Sequence, residues 1–223
     1  MTGNYYISVD VGAESGRVIL GGVVDEKILL EEVHRFSNTP IEQEGALRWD
    51  FDYLIAEIKK GIGKAARQKK QVVSVGIDTW GVDFGLLNAN GELLENPYHY
   101  RDSRTDGMQE EAFGILPKEN IYENTGTQIM QINSLYQLLA YRKFRPKVFS
   151  KAAKLLFMPD LITYYLTGQI QAEYTIASTS QLMDMKTGKW SQKILEAFDI
   201  SPELLGDIVQ PGTVTGKLTK EVA

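Results

Sequence analysis

The stretch "ISVDVGAESGRVIL", residues 7–20, reads as a strand, a turn of small residues and a second strand. Asp10 sits where the first strand ends, and Arg17 where the second begins. A carboxylate at the carboxyl end of a buried strand faces the crevice where α/β sheets bind ligands. Asp10 is therefore placed to hold a divalent cation. Mg²⁺ takes only one or two protein carboxylates and leaves its other positions to water and phosphate. Gly12, Ala13, Ser15 and Gly16 allow backbone N–H groups to approach phosphate oxygens as an anion nest. Arg17 adds a charged fork for the same oxygens. Glu14 is the discordant residue, since an acid beside a polyphosphate must turn away from it or share its metal. Taken alone, the pattern fits a tight hairpin with a solvated Asp and an exposed Arg equally well.

The rest of the chain narrows the choice. Its 223 residues suffice for a sizeable core, and 43% hydrophobic with 24% charged residues is an ordinary globular balance. The net charge of −5, with no block of like charges, argues against nucleic acid as a partner. There is no cysteine, which excludes disulfides and thiolate metal sites. The chain enters a strand directly after "MTGN", with no signal-peptide pattern, and no apolar run approaches the ~20 residues of a membrane span. A cytoplasmic protein with no membrane partner is the expectation.

Residues 5–10, 17–24 and 28–36 predict a three-stranded meander. Phe51, Leu54, Ile55, Ile58, Ile62 and Ala65 then recur at helical spacing, with Asp50 or Asp52 as the cap and Gly61 and Gly63 weakening the last turns. "VVSVGID" (72–78) predicts a buried strand, and Asn90-Gly91 a hairpin over 82–95. Helices are expected over 134–144, from Pro159 to a stop at Gly168, over 190–198 and over 201–205. This order makes the chain α/β, with a mixed central sheet flanked by helices. It matches the ribonuclease-H-like core of the actin and sugar-kinase ATPase superfamily, an analogy of fold and not of function.

A second constellation follows the buried strand. Asp78, Thr79, Trp80, Gly81 and Asp83 come together, and Tyr100-Arg101-Asp102-Ser103-Arg104 follows twenty residues later. Carboxylates and a flat aromatic beside a glycine suit a sugar, which offers hydroxyls to bond and an apolar face to stack. The plainer alternative is a core Trp and an Asp102–Arg104 ion pair pinning a loop. The pair favours that plainer role, and Trp80-Gly81 favours the site.

"VDVGAESGRV", "GIDTWGVDF", "YRDSRT" and "MPDLITYYLTG" together resemble the N-terminal domain of the FGGY carbohydrate kinases, over Tyr5 to about Gly212. "DTWGVDF" and "YRDSRT" narrow the likeness to a ketose kinase. The resemblance implies ATP and Mg²⁺ as cofactors and a sugar as substrate. It implies that the turn containing Ala13, Glu14, Ser15, Gly16 and Arg17 meets the ATP phosphates, and that Asp10 stands near the metal. It implies sugar contacts at Gly81, at Tyr100 and, less directly, at Asn133. In such kinases the general base and the adenosine pocket belong to a second domain, in a Ser-His-Asp-Thr type of motif for the base. Here His34 and His99 are the only histidines, and neither precedes Asp-Thr. The expectation is a single domain over 1–223 with its own C-terminal domain as a partner. No catalytic residue is expected within the chain, and the general-base Asp is expected beyond Ala223. Other classes also fit the hairpin. One is an actin-like scaffold, another a sugar-binding module without catalysis, and a third a kinase for a different ketose.

Overall fold

The computed structural model describes residues 4–68 and 70–222. The domain expected over 1–223 is described over that span; its last residue, Ala223, lies outside the described residues. Strands β1 (Tyr5–Val11), β2 (Ser15–Val24) and β3 (Lys27–Ser37) form the expected meander. The short strands β4 (Ile41–Gln43) and β5 (Ala46–Arg48) lead into helix α1 (Phe51–Ala66), and α1 delivers β6 (Val72–Thr79) parallel to β1. The sheet order β3-β2-β1-β6 combines antiparallel and parallel pairs, a mixed sheet as predicted.

Every apolar position expected on the inner face of α1 is buried, and the Asp50 side chain accepts from Tyr53 N at 3.0 Å as the N-cap. The helix continues through Gly61 and Gly63 without a break. Gly61 is there for contact, because a Cβ at that position would overlap the Val18 side chain on the sheet beneath. Close approach of helix to sheet outweighs the lower helix propensity of glycine.

Downstream come β7 (Phe84–Leu87), α2 (Met108–Ile115), α3 (Lys118–Thr125), α4 (Ser134–Phe144), α5 (Pro146–Phe149), β8 (Lys154–Phe157) and α6 (Met158–Thr167). Gly168 closes α6 with φ +76°, as its sequence position predicts. One apolar core lies between the sheet, α1 and α6; a second surrounds α4, whose Leu135, Tyr136, Leu138 and Ala140 are all but inaccessible.

Three expectations are corrected. The strand over 72–78 forms but is not buried, because among the described residues β6 is an edge paired with β1 alone. Its outer side borders a groove of about 840 Å³, closed by α6 and residues 211–218. The hairpin at Asn90-Gly91 has its turn, with Gly91 at φ +79°, but its return arm is reduced to one bridge between Leu87 and Leu93. Strand β7 pairs instead with β8, far along the chain. Both outcomes depend on which distant segment reaches a strand edge, and local pattern does not specify that. The 190–198 helix is shorter than expected, with residues 192–197 helical after a two-residue strand.

Candidate functional site

The site begins at the carboxyl ends of β1 and β6. Asp10 is in register with Arg17 on β2 and with Asp78 on β6. Arg17 donates to Asp10 Oδ2 from Nε at 2.8 Å, and its terminal nitrogen stands 2.7 Å from the same oxygen as an ion pair. Asp78 is exposed beside it. Two carboxylates on adjacent strands offer only hard oxygen donors, which suits Mg²⁺ with most of its shell left to water or phosphate. Among the described residues no group of three or more His, Cys, Asp or Glu gathers as a metal cage.

The turn between β1 and β2 is tight, with Gly12 N donating to Ser15 O at 2.9 Å. Asn38, buried just past β3, holds it from the side. Its Nδ2 donates to Gly12 O at 2.8 Å, and its N–H donates to Glu14 O at 2.9 Å. Sequence reasoning missed Asn38, since a single Asn after a strand carries no distinguishing signal. Gly12 and Glu14 are exposed, and Ala13 and Ser15 are half-buried. Gly16 differs from the expected nest residue. It lies inside the ladder opposite Val11, and the Phe36 ring occupies the place a Cβ would need. Its lack of a side chain serves packing.

The second half of the site is organised around Asp83, which is fully buried. Its Oδ2 accepts from Trp49 Nε1 at 2.7 Å, Trp80 Nε1 at 2.9 Å and the Tyr100 N–H at 3.2 Å. Its Oδ1 accepts from Gln137 Nε2 at 2.8 Å. Gln137 Oε1 in turn accepts from Arg104 at 2.6 Å, which settles which end of the amide faces Asp83. Burial pushes the Asp83 carboxyl up to about 6, against the pull of these donors and of Arg104. The rings form a continuous row of tilted and stacked contacts. Trp80 packs on Trp49 at 4.2 Å, Trp49 on His99 at 4.3 Å, and His99 on Tyr100 at 4.4 Å. Burial and the neighbouring Arg101 hold His99 down at about 4, so it stacks as a neutral ring at pH 7. Trp49 and His99 escaped the sequence reading, because nothing local marks a Trp before a helix cap as part of a cluster.

Between Gly81 and Asp83, Val82 adopts φ +71°, a left-handed conformation rare for a β-branched residue. Its carbonyl accepts from Ser134 Oγ at 2.6 Å and is approached by Gln137 Nε2 at 3.4 Å, which hold it there. Gly81 faces Thr179, whose nearest atom would lie 3.5 Å from an added Cβ, an ordinary contact. Trp80, Gly81 and Tyr100 are half-buried and lie together along this network. Asn133 does not join them at the surface. It is fully buried, and its Nδ2 donates to Gln128 O at 2.8 Å. Arg104 is buried against Asp102 at 3.5 Å and over the Tyr98 ring, the loop-pinning role its spacing suggested.

Residues 5–223 match the family model described as the FGGY family of carbohydrate kinases, N-terminal domain. A rhamnulokinase of Halalkalibacterium halodurans is 44% identical over 98% of this chain and 46% of its own length. One of Bacteroides thetaiotaomicron is 43% identical over 97% and 45%. The chain thus spans about half the length of the curated relatives it matches. Among solved structures, a xylulose kinase of Lactobacillus acidophilus superposes with a TM-score of 0.87 at 23% identity, covering 98% of this chain and 44% of that one. A Plasmodium falciparum glycerol kinase with ADP gives 0.78 at 20%, covering 98% and 46%. These two likenesses are of fold. On the family match and on the identity to the rhamnulokinases, the chain belongs to the FGGY family of carbohydrate kinases, as its N-terminal domain.

Proposed function

We propose that this chain is the sugar- and phosphate-binding half of an ATP-dependent ketose kinase that converts L-rhamnulose to L-rhamnulose 1-phosphate. The observation that carries the substrate is the 44% identity to a rhamnulokinase over nearly the whole chain. The geometry supports the assignment of parts. The 12–16 turn and Arg17 border the nucleotide phosphates, and Asp10 with Asp78 would hold Mg²⁺, which neutralises phosphate charge. Trp80, Gly81 and Tyr100 border the ketose.

In the reaction the 1-hydroxyl oxygen forms a bond to the γ-phosphorus while the bond to the β-phosphate oxygen breaks, and the hydroxyl proton passes to a base. Asp83 is unsuited to that task, since both its oxygens already accept from protein donors. The base and the adenosine pocket are assigned to a second, C-terminal domain, beyond Ala223, that closes over this one. The protein works in solution in the cytoplasm on this reading; among the described residues no helix is long and apolar enough to cross a membrane.

A coupled ADP-release assay tests the proposal. The chain is assayed alone, and with the C-terminal half of a rhamnulokinase supplied as a second polypeptide, against L-rhamnulose, L-fuculose and D-xylulose. The expected result is turnover only with both halves, and a preference for L-rhamnulose. Equal rates with all three ketoses would overturn the substrate. Turnover by this chain alone, abolished by Asp10→Ala, would overturn the two-domain division of labour.

A further inference from the structure

Trp80 and Tyr100 are twenty residues apart and belong to different segments, yet a single carboxylate oxygen holds both. Asp83 Oδ2 takes the Trp80 indole N–H and the Tyr100 backbone N–H, and the buried Trp49 indole between them. The four packed rings run from one of these walls to the other. We infer that Asp83 is a positioning residue, which locks the Trp80-Gly81 and Tyr100 walls of the sugar pocket into one rigid unit and so sets ketose affinity without touching the sugar. The inference rests on the reading of these walls as the sugar site.

Three features support a positioning role over ordinary core packing. First, all four contacts to Asp83 are donations to it, so the carboxylate is the form this cluster is built around. Second, Gln137 is itself oriented by Arg104, so its amide presents N–H and not C=O to Asp83. Third, the neighbouring Val82 is held in a left-handed conformation that an unconstrained valine avoids. Strain maintained by Ser134 and Gln137 beside a polar hub is the pattern of a preorganised site. Walls held in place before the ligand arrives lose less side-chain freedom on binding.

The three tryptophans supply the test, because each gives one indole N–H resonance. Trp190 donates to Gly206 O, away from the cluster, and serves as the internal control. Trp49 is fully buried and does not reach a ligand itself. In the wild-type chain, saturation with L-rhamnulose is expected to shift the Trp80 resonance, at the pocket wall, and to leave the buried Trp49 and the distant Trp190 in place. Asp83→Asn turns an N–H₂ toward the Gln137 N–H₂, two donors facing each other. It is expected to move both the Trp49 and Trp80 indole resonances upfield and to weaken ketose binding about 10- to 100-fold by calorimetry, with the Trp190 resonance unchanged. Trp80→Phe keeps a ring but removes one donor, and should weaken ketose binding in the same direction. A Trp49 resonance displaced by bound ketose as far as that of Trp80, or an Asp83→Asn chain that keeps the Trp190 resonance and binds ketose as tightly as wild type, would overturn the inference alone. A wild-type chain that binds no ketose would overturn the substrate reading and this inference with it.

Discussion

Asp10 and Asp78 stand side by side, because β1 and β6 run parallel and their register pairs these two residues. Adjacent strands are about 4.8 Å apart, so two carboxylates face the same crevice at close range. Like charges at such distances repel by about 1 kcal/mol in water and more where solvent is excluded. Arg17 compensates one of the pair, and Asp78 has no ion-pair partner among the described residues. A cation between the two would relieve the rest.

If Asp10 anchors that cation, Asp10→Asn in the reconstituted kinase should raise the Mg²⁺ concentration for half-maximal rate about tenfold, with the ketose KM unchanged. Arg17→Ala should raise the KM for ATP more than that for sugar, since it removes a phosphate donor and also releases Asp10. Steady-state kinetics with each component varied separately checks both. Equal effects on the two substrates would sink the assignment of the hairpin.

Gly81 has room for a methyl group within the protein, as Thr179 lies at ordinary contact distance from an added Cβ. Gly81→Ala should therefore leave the unfolding midpoint nearly unchanged. If the ketose approaches this backbone, the same methyl should weaken ketose binding about tenfold or more. Calorimetry alongside thermal unfolding separates the two effects, and unchanged affinity would remove Gly81 from the site.

Two glycines on one helix should respond in opposite directions. Gly61→Ala drives a Cβ into Val18, inside a packed core, and should destabilise by about 1–3 kcal/mol despite the better helix propensity of alanine. Gly63→Ala meets nothing within 4 Å and should stabilise by about 0.5–1 kcal/mol. Urea unfolding of both variants is the measurement, and a stabilising Gly61→Ala would contradict the close helix–sheet packing.

Asp160 is buried at the start of α6 with Oδ1 accepting from Glu173 N at 3.0 Å and Oδ2 unpartnered. Burial pushes its carboxyl up to about 7, above the value of an unfolded chain. The folded state therefore holds this proton more tightly than the unfolded state. The stability from Asp160 is fully present below about pH 4 and is lost as pH rises through about 7. Asp160→Asn should gain stability relative to wild type at pH 8, by an amount of the order of 1–3 kcal/mol, and gain less at pH 5. Equal effects at the two pH values would show that Asp160 is ionised throughout.

The sequence alone determined the meander, α1 with its buried face and cap, and the α/β class, because these depend on spacing within one segment. Alternation sets which side of a strand faces inward, and a 3.6-residue period does the same for a helix. It also singled out Asp10 as a metal candidate and Asp78 and Trp80-Gly81 as sugar candidates, because charges and glycines at strand ends stand out against an apolar run. Only the tertiary structure decided what surrounds them. Asn38 reaches the β1–β2 turn from the far end of β3. Trp49, His99 and Gln137 come from three separate segments to converge on Asp83 and its ring stack. Gly16 is a glycine for Phe36, and β6 is an edge and not a core strand. Each of these turns on a contact between residues far apart in the chain. Local periodicity fixes which face of an element is buried, but the partner against which it is buried is chosen by the packing of the whole domain.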